Sequence, residues 1–128
     1  MIVIKHPSES EEQITVINWA LWHEKQYPEL ALLHHIPNGG LRSKKTAAKL
    51  KREGVKPGIP DLCLPVARHG YHGLYIEMKS KVGRLSDDQK KMIESLRDQG
   101  HYAVDCKGAD AAIKLIEWYI GANGYERD

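Results

Sequence analysis

The sequence predicts an α/β fold, a mixed central β-sheet flanked by α-helices. Three observations carry this. Apolar residues recur at helical spacing near both ends of the chain. Between them stand short apolar runs with strand character, bounded by Gly, Pro, Asn or Ser. Two stretches, Ser8-Glu9-Ser10-Glu11-Glu12 and Ser86-Asp87-Asp88-Gln89, carry the signals of a helix N-terminus. At 128 residues the chain is one domain, residues 1–128, large enough for a single core.

The elements follow in order. The first helix runs from the Ser8 cap to about Gln26, because Pro28 blocks continuation. Ile14, Val16, Ile17, Trp19, Ala20 and Leu21 give it a broad face expected to be buried. Residues 30–36 read as a strand, and Asn38-Gly39-Gly40 as a turn. Ser43 caps a basic helix from about Lys44 to Arg52, ended by Gly54. Residues 62–66 and 74–78 read as two strands joined by a loop with Gly and His. The capping box at Ser86 opens a helix to about Gln99, with Gly100 as the residue that ends it. Residues 102–106 form a fourth strand, and the helix Ala109–Ile120 closes at Gly121.

Composition excludes some classes. The net charge of +2 is too small to name a partner. No apolar run reaches the roughly 20 residues of a membrane span, and residues 1–6 are too short for a signal peptide. Cys63 and Cys106 lie inside apolar runs, as buried free thiols of a reducing, intracellular compartment do. No Cys/His spacing suits zinc. Trp19, Trp22, Trp118 and Tyr119 are expected in the core or an interface. His69 and His72 are expected at the surface of the loop between the second and third strands.

Two acidic motifs carry the chemistry. Gly58-Ile59-Pro60-Asp61 leads into one strand-like run, and Ile76-Glu77-Met78-Lys79 ends the next. Residues two apart on a strand share a face, so Glu77 and Lys79 point together. If the runs are neighbours, Asp61 joins them. Two carboxylates suffice for Mg²⁺, which keeps several waters. Met78 turns its side chain to the opposite face, leaving its backbone carbonyl as a further oxygen ligand. Such an ion, with Lys79 to position water or offset charge, suits phosphodiester hydrolysis. Glu-x-Lys alone is equally a solvated strand face with a salt bridge, and Pro-Asp alone a strand start. Their conjunction is the signal.

The frame Pro60-Asp61…Glu77-x-Lys79 resembles the PD-(D/E)XK nuclease superfamily. More narrowly, the chain resembles the VRR-NUC (virus-type replication-repair nuclease) domain. The segments that carry this are His35-Ile36-Pro37-Asn38-Gly39-Gly40, the run from Ala48 to Asp61, Gly73-Leu74-Tyr75-Ile76-Glu77-Met78-Lys79, and Gly83-Arg84-Leu85-Ser86 with Gln89. The resemblance implies a restriction-endonuclease-like core, Mg²⁺ or Mn²⁺ as cofactor, and DNA as substrate. It further implies a stand-alone homodimer acting on branched DNA like a junction resolvase, in a bacterium or a phage-infected cell. It places an acid of the first helix near the metal. Glu12 is favoured, Glu9 second, and Glu11 is better explained by the helix dipole. Gln89 matches the family's glutamine, implying a bond to a metal-bound water or to Lys79; the capping box alone also accounts for it.

Charge is segregated. Between positions 42 and 56, Arg42, Lys44, Lys45, Lys49, Lys51, Arg52 and Lys56 face one acid, Glu53. Beside a metal site such a segment is expected to grip backbone phosphates, which position DNA without reading sequence. Asn38 and Gly39 offer backbone N–H groups to a phosphate, or form an ordinary turn. Of His34 and His35, one is expected buried and one exposed; His35 either contacts DNA or is structural. Two other readings stand beside the branched-DNA nuclease: a non-catalytic DNA-binding module with a nuclease fold, and a sequence-specific restriction-type enzyme.

Overall fold

The computed structural model describes residues 6–38 and 43–122. In chain order these hold α1 (Glu9–His23), a 3-10 turn (Pro28–Leu32), β1 (His34–His35), α2 (Lys44–Arg52), β2 (Leu62–Leu64), β3 (Leu74–Lys79), α3 (Asp87–Asp98), β4 (Tyr102–Lys107) and α4 (Ala109–Ile120). The strands form one mixed sheet, β1-β2-β3-β4. β1 and β3 run antiparallel to β2, and β4 runs parallel to β3. A parallel neighbour needs a crossover, and α3 supplies it.

The caps act as the sequence predicts. Ser8 and Glu11 form a reciprocal capping box on α1, Ser86 and Gln89 another on α3, and Ser43 caps α2. Gly121, at φ 77°, ends α4 in the left-handed conformation that glycine adopts at least cost.

Strand alternation divides the interior. Leu62, Leu64, Leu74, Ile76, Met78 and Cys106 turn to one side of the sheet, where they meet Val16 and Ala20 of α1 and Ala112, Ile116, Tyr119 and Ile120 of α4. The other side carries Cys63, Tyr75, Glu77, Lys79 and Ala103. Burying a core Leu or Ile contributes roughly 1.5–3 kcal/mol, so the first side dominates stability.

Four local expectations are corrected. Residues 30–36 are not one strand. Pro28 sits in the first turn of the 3-10 element, Leu30 N–H donates to Tyr27 O and Leu33 N–H to Leu30 O, leaving only His34–His35 to pair. His34 and His35 are both exposed, because β1 is a two-residue edge strand. Ile14 and Leu21 are exposed: the buried stripe of α1 is the narrower Glu12, Val16 and Ala20. Trp22 is outside the core of this chain. Trp19 and Trp118 pack on the core's margin, while Tyr119 is fully buried and donates to Val66 O. His72 is exposed, but His69 is a correction. It is partly buried, its ring stacks on Trp118 at 4.1 Å, and Nε2 lies 3.1 Å from Tyr119 O. Cys63 and Cys106 are free and buried, as expected. Burial raises both thiols above their ordinary range, Cys106 to about 12. No helix among the described residues is long and apolar enough to cross a membrane.

Candidate active site

The site grows from the end of β3. Its alternation turns Met78 fully into the core and leaves Glu77 and Lys79 on the opposite side, with Glu77 Oε1 and Lys79 Nζ 4.0 Å apart. β2 pairs Leu62 with Ile76, so the residue before it, Asp61, comes alongside Glu77. Asp61 Oδ2 accepts a hydrogen bond from the Met78 N–H at 2.8 Å. A strand residue's N–H and C=O leave the chain on the same edge, so the Met78 carbonyl also faces the Asp61 side.

Both charged residues of β3 are buried: Glu77 is 2% and Lys79 6% exposed. Isolated charges rarely survive such burial. Burial first, then a hydrogen bond with Asp61 and the charge of Asp61, push the Glu77 carboxyl up to about 9, while Lys79 pulls it down. Glu77 Oε2 has no protein hydrogen-bond donor. An orphaned buried carboxylate oxygen beside a second carboxylate and a backbone carbonyl fits a hard divalent cation, which takes oxygen ligands and completes its shell with water. Among the described residues no cluster of three or more His, Cys, Asp or Glu side chains occurs.

Gln89 completes the capping box and also reaches the site, through Glu77. Its Oε1 accepts from Ser86 N–H at 2.8 Å, and its Nε2 donates to Glu77 Oε1 at 3.2 Å. The bond goes to Glu77, not to Lys79. Gly58 brings α3 close enough. At φ +80° it lies so near the N-terminus of α3 that a Cβ there would sit 2.4 Å from Asp88 O.

The first helix brings two acids to this end of the sheet. Glu9 Oε1 lies 3.5 Å from Lys79 Nζ, so the second choice is the acid in contact with the site's cation. Glu12, the first choice, is buried one turn deeper with Oε2 unpartnered, against Gly108 at the start of α4. Glu11 only closes the capping box. The loop at Gly83 passes over Glu9 and Lys79: a Cβ on Gly83 would reach 3.4 Å from each. In the sequence this glycine is marked only by its place in the motif Gly83-Arg84-Leu85-Ser86.

At the rim, His35 Nδ1 lies 2.8 Å from Asp61 O while the residue stays exposed, so it is structural and also borders the site. Asn38 is exposed; Gly39 and Arg42 lie outside the described residues. Lys44, Lys45, Lys49, Lys51, Arg52 and Lys56 are all exposed, on a helix with no buried residue and on the segment that runs from it to Asp61.

A family model for the VRR-NUC domain matches residues 2–110. A solved structure of a VRR_NUC domain protein superposes with a TM-score of 0.77 at 39% identity, over 94% of this chain and 97% of that one. No curated protein matches. The match spans every element from α1 to β4 that builds the site, and the chain therefore belongs to the VRR-NUC domain family, whose fold is of the nuclease type.

Proposed function

We propose that the chain is a metal-dependent, structure-selective DNA endonuclease, which hydrolyses phosphodiester bonds in branched DNA as a homodimer inside the cell, in the manner of a junction resolvase. The observation that carries this is the buried Glu77 carboxyl, with an orphaned Oε2, alongside the half-buried Asp61 and a buried lysine. A buried carboxyl with a raised pKa, as at Glu77, is costly for folding and is a mark of sites where chemistry needs it.

Asp61, Glu77 and the Met78 carbonyl would hold Mg²⁺ or Mn²⁺. Bound there, the ion supplies charge neutralisation at the phosphate and a more acidic water. The residues have separate tasks. The Met78 N–H fixes the Asp61 carboxylate, and Gln89 fixes Glu77 by one oxygen, leaving Oε2 free. Lys79, held by Glu9, places an ammonium where negative charge grows on the phosphate oxygens. Hydrolysis adds water across one P–O ester bond, leaving a phosphomonoester and a hydroxyl. The exposed lysines and arginine of α2, with Lys56, lead backbone phosphates toward the site and read shape rather than sequence.

The test is a cleavage panel of four-way, flap, splayed and linear duplex DNA with Mg²⁺ or Mn²⁺. Branched substrates are expected to be cut, and Glu77→Ala and Lys79→Ala to be inactive. Cleavage that survives in either variant overturns the assignment. Tight binding without cutting by either metal identifies a non-catalytic module instead, and a discrete pattern on random linear duplex a restriction-type enzyme.

A further inference from the structure

We infer that the outer face of α1 docks on the same face of a second copy of this chain, as an antiparallel helix pair about a two-fold axis at Asn18. The inference deepens the homodimer part of the proposed function. It starts from side chains on the wrong side of the helix. Trp22 is 87% exposed, Leu21 64% and Ile14 54%. A tryptophan left almost wholly in water is unusual, because the side chain is large enough to dominate whatever it is buried against.

The exposed positions follow a seam repeat. Glu11, Ile14, Asn18, Leu21 and Lys25 are all exposed and fall at alternating spacings of three and four along α1 and the turn after it. That is the spacing with which one helix lies along another. The opposite stripe, Glu12, Val16 and Ala20, is already spent on the core and the site. A shallow groove lined by Leu21, Glu24, Lys25, Pro28 and Ala31 continues the face beyond the helix.

Charge selects the occupant and its direction. A parallel pair would set Glu11 against Glu11 and Lys25 against Lys25. An antiparallel pair centred on Asn18 sets Glu11 of one copy against Lys25 of the other, and Ile14 against Trp22. Asn18 then meets its own symmetry mate, and an amide can donate and accept at once. Such self-complementarity is what a two-fold interface requires. The stripe carries one acid and one base, so it offers nothing special to phosphate.

The arrangement has a consequence for the chemistry. Glu9, which touches Lys79, is nine residues from the axis. At 1.5 Å per residue the two sites would lie roughly 27 Å apart along the helix pair, facing away from the seam toward opposite ends.

Sedimentation of the full chain without DNA tests this. The wild type is expected at twice the 14.5 kDa of the monomer. Trp22→Asp is expected at the monomer mass, with its circular dichroism and melting temperature close to wild type. Asn18→Cys should form a linked dimer on mild oxidation, and Lys51→Cys on α2 should not. A monomeric wild type overturns the inference, as does a Trp22→Asp dimer, or a dimer in which Asn18→Cys never cross-links. Cleavage is scored separately. A protein that dimerises through α1 but cuts nothing keeps this surface and loses the nuclease reading; one that cuts as a monomer does the reverse.

Discussion

The two sides of β3 make the informative comparison. Leu74, Ile76 and Met78 face α1 and α4; Tyr75, Glu77 and Lys79 face the other way. Both sides are largely buried. On the first, burial is the purpose: each side chain leaves water and fills the core. On the second, burial is imposed on an acid that cannot hold its charge comfortably, with one oxygen left unpartnered. One strand of six residues thus separates stability from chemistry by direction alone. The contrast implies that the two sides respond oppositely to substitution, and it can be broken experimentally.

The largest expected effect is on activity. Glu77→Gln keeps the shape and the contact with Gln89 but removes the carboxylate. Cleavage by the metal-loaded protein should fall at least about 100-fold, with melting temperature unchanged or raised. A fall in both would place Glu77 among the structural residues. On the other side, Ile76→Ala should lower stability by about 2–5 kcal/mol, through lost burial and the cavity left behind, read by denaturant unfolding. Next in size is Gly58→Ala, which forces a side chain into φ +80° and into the Asp88 backbone. A cost of about 1–3 kcal/mol is expected, together with slower cleavage as Gln89 is displaced from Glu77.

A pH profile sharpens the comparison further. The folded carboxyl of Glu77 is raised to about 9 from 4.5. Between those values the folded state keeps a proton that the unfolded state has released, so stability falls as pH rises through this window. In chelator, melting temperature should therefore drop from pH 6 to pH 9, and Glu77→Gln should flatten the drop. An equal slope in both proteins would assign it to other groups. Smallest is Gln89→Leu, which removes one hydrogen bond to Glu77 and the capping-box return bond. About 1–2 kcal/mol of stability and a several-fold loss of cleavage rate are expected.

Much of this was legible along the chain. The helix α4 and its terminating glycine, the caps of α2 and α3, and the shared side of Glu77 and Lys79 follow from local rules: a period of two or 3.6, a hydroxyl before a helix, a glycine after one. Residues 30–36 misled because Leu30, Leu32 and Leu33 suit a strand as well as a 3-10 turn, and Pro28 was counted only as the end of α1. The exposed Ile14 and Leu21 misled because apolar character marks a face as buried somewhere, not as buried within the same chain.

The sequence by itself determined the order of elements, the phase of β3 and the set of chemical groups at the site, since each depends on neighbours a few residues apart. Only the tertiary structure decided that Glu9 rather than Glu12 touches Lys79, that Gln89 reaches Glu77, and that Glu12 is sealed against Gly108. Those contacts join elements far apart in the chain. The crossing of α1 over the sheet and the approach of α3 to Gly58 set them to within an ångström, and no spacing along one element carries that information.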